Sequence, residues 1–200
     1  MVMRETSPID PVVQEVVGLV SETLSTKNVT FRITGGLLLN SFGVGRPTYD
    51  VDLIVPRSEW QTAVTALEPL SVSYERMGVP GEPNPAAILQ TSKGPYIEIF
   101  PEGMSAGDVA HLRGRYRPDP SEHIAFSLSG DPLINLINSK IASHLCATDR
   151  LQDLSDVQRL IKHLNLDATF AEKLAPSVQK EFLQQVVLLQ QPATRRKSSP

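Results

Sequence analysis

The chain has 200 residues, a formal net charge of −3 and a pI near 5.8, which suits one domain, or one domain with a helical extension, and argues against a general nucleic-acid binder. The hydrophobic content of 40% is enough for a packed core, and the single cysteine, Cys146, excludes an internal disulfide. No apolar run reaches membrane-spanning length and the opening M-V-M-R-E-T-S-P has no signal-peptide core, so the expectation is a soluble cytoplasmic protein with no membrane partner.

In chain order, Val12, Val13, Val16, Val17, Val20 and Leu24 recur at helical spacing, and Pro11 suits a first helical turn. A helix is predicted over 9–25, then a first strand over 29–33. Gly35 and Gly36 open a second helix running to about Phe42. Gly43, Gly45 and Pro47 make a loop, and 51–55 is a second strand. Ser58 is placed to cap a helix over 59–68, with Trp60, Val64 and Leu67 facing inward. Residues 71–75 read as a third strand and 78–85, rich in Pro and Gly, as an exposed loop. Ala87–Thr91 and 95–100 read as strands joined by a Lys93-Gly94 turn, a hairpin. Residues 101–120 read as loop and Pro120–Leu128 as a short helix. From Asp131 the pattern is helical, with one apolar stripe through Leu133, Ile137, Ile141 and Leu145 and another through Leu154, Val157, Leu160 and Ile161. Two further helices are expected over 167–190, broken near Pro176. The fold class is therefore α/β, or α+β in looser terms. A small mixed sheet with flanking helices is expected over 1–128, a helical region over 129–191 and a disordered polar tail over 192–200.

The chemistry concentrates between residues 31 and 55. A glycine pair at a strand-to-helix turn lets backbone approach a phosphate, and the helix N-terminus offers it free N–H groups. Asp50 and Asp52 lie two apart on a strand and so share a side, because strand side chains alternate faces. Two carboxylates held that close repel, and a hard divalent cation relieves the repulsion. Glu98 is an acid flanked by apolar residues in the strand Y-I-E-I-F. A buried carboxylate is rare unless paired or metal-bound, the other reading being an edge glutamate facing water.

The run Gly35-Gly36, a spacer over 37–49, then Asp50-Val51-Asp52 resembles the signature of the nucleotidyltransferase superfamily, whose fold is shared with polymerase beta. The spelling Arg46-x-Thr48-x-Asp50-x-Asp52 is most similar to minimal nucleotidyltransferases and abortive-infection toxins. Lys140 followed by Arg150, Asp153 and Asp156 is a second point of resemblance to that branch. The resemblance implies transfer of a nucleoside monophosphate from a nucleoside triphosphate (NTP) to an acceptor. It implies Mg2+ or Mn2+ held by Asp50, Asp52 and Glu98 as catalytic acids, and nucleotide contacts from Gly35, Gly36, Arg46, Thr48 and Lys140. Where a Gly-Ser version offers a hydroxyl to phosphate, Gly36 has none.

Several alternatives stay open on sequence alone. Lys140 either meets phosphate or is a surface cation on an amphipathic helix. Asp153 and Asp156 either act directly or serve as first-turn helix charge and partners of Arg150. The basic run from His111 through Arg113 and Arg115 to Arg117 either guides an anionic substrate or is a solvated loop. The acceptor, whether tRNA, protein or small molecule, has no signature, nor do the choice of NTP and the oligomeric state. A non-catalytic nucleotide-binding or partner-binding module that retains the fold is the rival reading. Zinc spacing among the histidines, a dinucleotide fingerprint, a P-loop and a G-x-S-x-G elbow are all missing from the sequence.

Overall fold

Asp10 starts the first helix, α1 (Pro11–Thr26), by accepting the Val12 N–H at 2.8 Å, while Pro11 occupies the turn where a missing N–H costs nothing. The helix stops at Asn28, whose φ of 53° is left-handed. The N–H groups of Asn28 and Val29 return to Ser25 and Leu24 at 3.0 Å each, a Schellman closure. The expected strand over 29–33 is thereby shortened to β1 (Arg32–Ile33), because the Val29 amide is spent on the helix end. These observations come from a computed structural model that describes residues 9–77, 86–105, 124–147 and 150–190. The 78–85 loop, the basic run His111–Arg117 and the tail from 191 lie outside the described residues.

The next elements are α2 (Gly35–Ser41), β2 (Asp50–Val55), α3 (Trp60–Leu67), β3 (Ser71–Met77), β4 (Ala86–Thr91) and β5 (Tyr96–Pro101). The sheet order is β1-β2-β5-β4-β3, with β2 and β5 parallel and the remaining pairs antiparallel. The strand carrying Glu98 is thus the central one. The Lys93-Gly94 turn closes the β4–β5 hairpin, with the Thr91 N–H bonded to Pro95 O at 3.0 Å and Gly94 at φ +108°. Ser58 does not cap α3: the cap position is Glu59, which makes no side-chain cap bond. The Glu59 carboxylate instead accepts the Thr30 N–H at 2.6 Å, tying α3 to the chain entering β1.

One sheet face is apolar. Val51, Leu53, Val55, Ala87, Leu89, Ile97 and Ile99 point into a core completed by the buried stripe of α1 and by Trp60, Val64 and Leu67 of α3. Burying such side chains contributes about 1.5–3 kcal/mol each, so this face holds α1 and α3 down. The opposite face of β2 and β5 carries Asp50, Asp52, Ile54, Glu98 and Phe100, by strand alternation.

The C-terminal half supplies α4 (Pro132–Cys146), α5 (Leu151–Leu164), a 3-10 segment (Ala168–Lys173) and α6 (Pro176–Gln190). The first of the two helices expected after 167 is therefore a 3-10 segment. A second core joins α4, α5 and α6 through Ile137, Ile141, Val157, Leu160 and Phe182. It also takes in Leu39 of α2 and Val44 of the following loop, so the helical region packs directly on the segment that leads to β2. The short helix expected over Pro120–Leu128 is absent from the described part, 124–128. That segment forms a ladder with the chain after β5: the Phe126 N–H bonds Met104 O at 2.8 Å, and the Gly103 N–H bonds Phe126 O at 2.9 Å. Phe126 stacks on Phe100 with ring centroids 4.8 Å apart, which holds the ladder against the sheet.

Candidate functional site

A cavity of about 130 Å³ opens between the polar face of the sheet and α4. Its walls bring together Gly35 and Gly36 at the start of α2, Arg46 from the loop after it, Asp50 and Asp52 on β2, Glu98 on β5 and Lys140 on α4. Thr48 is not on that wall. Its hydroxyl lies behind Gly36, 2.6 Å from where a Cβ on Gly36 would stand.

The carboxylate wall follows from register. Asp50 is opposite Tyr96 and Asp52 is opposite Glu98 in the parallel β2–β5 pairing, so the three acids share one face of adjacent strands. Asp52 is further fixed by its neighbours. Its carbonyl accepts the Thr34 N–H at 2.9 Å, and its Oδ2 sits 1.7 Å from the position a Cβ on Gly35 would take. Gly35 has φ +60°, a conformation that glycine adopts without steric cost. The carboxylate thus lies directly against the glycine backbone, in space that any other residue would fill.

A chain of alternating charges runs by the same cavity. Arg46 Nε donates to both oxygens of Asp156, each at 3.1 Å. Lys140 Nζ donates to Asp156 Oδ2 at 2.7 Å and to Asp153 Oδ1 at 3.0 Å. Arg150 forms an ion pair with Asp153, three residues on in the chain, although the contacted Oδ2 gains no hydrogen bond from it. Lys140 is 6% exposed and Asp156 0% exposed. Buried charges are costly unless paired and fully hydrogen-bonded. Asp156 meets that condition, since Gln152 Nε2 adds a further bond to Oδ1 at 2.9 Å. Lys140 is therefore not a surface cation; Asp153 does lie in the first turn of α5 and pairs with Arg150, and both it and Asp156 also hold Lys140.

Sequence reasoning missed Thr34, Ser139, Ser143, Phe100, Phe126 and Leu136 on the cavity wall. Helical spacing about Lys140 would have found Leu136, Ser139 and Ser143, which recur at three and four residues along α4. Phe126 had no local signal, because its place depends on the ladder to Met104.

Among the described residues, no three His, Cys, Asp or Glu side chains stand together as a ready metal cage. The fit to a divalent cation rests on donor chemistry. Asp50, Asp52 and Glu98 present hard carboxylate oxygens on one wall, the type that Mg2+ and Mn2+ prefer, and the glycine-backed seat of Asp52 leaves its carboxylate on that wall. These three carry the donor type that such an ion requires, on one face of two adjacent strands. Among the described residues, no helix is long and apolar enough to cross a membrane.

No protein-family model matches the chain, and no curated protein matches it. Solved structures do. The solution structure of the antibiotic-resistance factor ANT(2'')-Ia aligns over 90% of this chain and 96% of its own, at 13% identity and a TM-score of 0.51. The Thermotoga maritima CCA-adding enzyme complexed with tRNA aligns over 90% of this chain and 48% of its own, at 13% identity and TM-score 0.42. A CCA-adding enzyme in apo form II aligns over 65% of this chain at 13% identity and TM-score 0.42, and the chain spans only 27% of its length. The superposition on ANT(2'')-Ia over 90% of the chain, together with the five-stranded mixed sheet, shows that the chain shares the fold of that protein.

Proposed function

We propose that this chain is a nucleotidyltransferase that moves a nucleoside monophosphate from an NTP to an acceptor nucleophile and releases pyrophosphate, with Mg2+ or Mn2+ held by Asp50, Asp52 and Glu98. The observation that carries the reading is the meeting of acids and cations in one cavity. Asp50, Asp52 and Glu98 share one sheet face, and Arg46, Lys140 and Arg150 line the same cavity. A triphosphate is an anion whose transfer builds charge on its oxygens, and fixed cations and backbone N–H groups stabilise that charge.

When bound, a divalent ion would screen the carboxylate wall from the phosphates and polarise the phosphoryl oxygens. The chain's own residues do the rest. Gly35 and Gly36 keep the floor of the site free of side chains. Lys140 and Arg46 bind and orient the polyphosphate. In this reading Glu98, on a different strand from the two aspartates, would ligate a second ion and accept the proton of the incoming acceptor. Thr48 supports the loop behind Gly36 and has no direct nucleotide contact in this reading.

The acceptor class is open. The structures similar in fold include an antibiotic-resistance factor and an enzyme complexed with tRNA, and neither choice is favoured by a residue of this chain. The test is incubation with each of the four labelled NTPs, Mg2+ or Mn2+, and cell extract. Label is expected on one class of molecule, whether RNA, protein or small molecule, and is expected to vanish in Asp50→Asn and Asp52→Asn. Nucleotide binding without transfer to any class would favour the non-catalytic binding module.

A further inference from the structure

We infer that Asp156 is a positioning residue for the polyphosphate of the nucleotide: through its charge-assisted bonds it sets the aim of both Arg46 and Lys140. The inference rests on the nucleotidyl-transfer reading above and deepens it.

Arg46 belongs to the loop between α2 and β2, whereas Asp156 belongs to α5, 110 residues away. Asn40 grips the backbone of Arg46 from α2, its Oδ1 accepting the Arg46 N–H at 3.0 Å and its Nδ2 donating to Arg46 O at 3.3 Å. Asp156 grips the other end of the side chain through Nε. The guanidinium plane is rigid, so fixing Nε and the backbone fixes the outer nitrogens. Nη1 donates to Pro47 O at 3.1 Å, and Nη2 stands 3.5 Å from where a Cβ on Gly36 would be. The outer edge of Arg46 is thereby aimed at the glycine turn.

Asp156 treats Lys140 in the same way. An ammonium has three donors, and Lys140 uses two of them on Asp153 and Asp156. Because Lys140 lines the cavity, the geometry leaves the remaining N–H for a ligand there. One fully buried carboxylate therefore holds two cations from different elements at fixed directions.

Charge alone argues the opposite sign. The chain Arg46, Asp156, Lys140, Asp153, Arg150 sums to one positive charge. Removing the Asp156 charge raises that sum to two and by simple electrostatics should tighten an anion. If Asp156 acts by position, its removal should loosen the anion, because two cations lose their aim. The two accounts differ in direction, so one measurement separates them.

The probe is inorganic tripolyphosphate with Mg2+, which carries the phosphates without a base, measured by calorimetry on the full chain. Asp156→Asn keeps the shape but turns a donating amide toward one of the cations. Its tripolyphosphate affinity is expected to fall by roughly ten- to hundredfold, in line with lost charge-assisted bonds. Unchanged or tighter binding in the folded variant overturns the inference. Should Asp156→Asn fail to fold, Arg46→Lys decides. It keeps the charge on a partly exposed loop but cannot bond Asp156 and face Gly36 at once. Positioning predicts the same loss as in Arg46→Ala, and retained affinity overturns it. A wild-type chain that binds neither tripolyphosphate nor any NTP would overturn the nucleotidyl-transfer reading itself, an outcome distinct from binding that is indifferent to Asp156.

Discussion

The Asp52 carboxylate occupies the space that a side chain on Gly35 would need, with Oδ2 1.7 Å from the ideal Cβ position. Gly35 cannot gain a side chain while Asp52 keeps its place. Gly35 also sits at φ +60°, where an L-residue costs roughly 1–2 kcal/mol. Gly35→Ala is therefore expected to lower stability by at least that amount and to push Asp52 off its seat. Thermal unfolding should report the first effect. Metal-dependent nucleotidyl transfer should report the second, as a loss of more than about tenfold. Wild-type transfer in a destabilised Gly35→Ala would show that the seat of Asp52 is unimportant.

Gly36 carries a different prediction. A Cβ there meets the Thr48 hydroxyl at 2.6 Å and the Thr48 Cβ at 3.0 Å. Gly36→Val should thus displace the 43–49 loop, and Arg46 with it. Reduced NTP affinity is expected together with a lower Tm. An unchanged Tm would mean that the loop yields freely.

The proposed metal dependence rests on three acids on one sheet face. Calorimetry with an NTP in chelator should show binding abolished or much weakened against the same titration with Mg2+. Equal affinity in both conditions would remove the metal from Asp50, Asp52 and Glu98.

Glu98 comes from β5 while Asp50 and Asp52 come from β2. Glu98→Gln is expected to bind NTP with Mg2+ yet lose roughly two or more powers of ten in turnover, as for a lost general base. Full activity would take Glu98 out of the chemistry. Loss of binding along with turnover would instead place it beside the aspartates on the nucleotide.

Lys140 is expected to matter for stability too. Lys140→Ala removes one partner from each of the buried Asp153 and Asp156, which keep Arg150 and Arg46, and losing those charge-assisted bonds costs about 1.5–3 kcal/mol. For a chain of this size that is a Tm drop of up to about 10 °C. A surface cation would show almost none, so an unshifted Tm would contradict the burial of the pair.

Much of this was readable from residues in a line. Helical spacing of valines announced α1, and the alternation of Y-I-E-I-F placed Glu98 on the face opposite Ile97 and Ile99. The D-x-D spacing put Asp50 and Asp52 together, and the glycine pair marked the strand-to-helix turn. These signals are local: they depend on the periods of 2 and 3.6 and on the freedom of glycine, which a short window of sequence already contains. Errors arose where a local preference met a competitor. Ser58 lost the cap of α3 because Glu59 was drawn to the Thr30 amide. Val29 left the strand because α1 needed its N–H. The 124–128 segment chose a ladder with 103–105 over a helix.

The sequence by itself determined the α/β class, the carboxylates and the glycine turn, since each is a property of neighbours along the chain. Only the tertiary structure decided what faces them. That Arg46 meets Asp156 across 110 residues, that Lys140 is buried between two aspartates, and that Phe126 lies on Phe100 are outcomes of how α4 and α5 pack on α2 and the sheet. Long-range packing of that kind is set by the sum of many weak apolar contacts, and no spacing rule within one segment encodes where that sum is greatest.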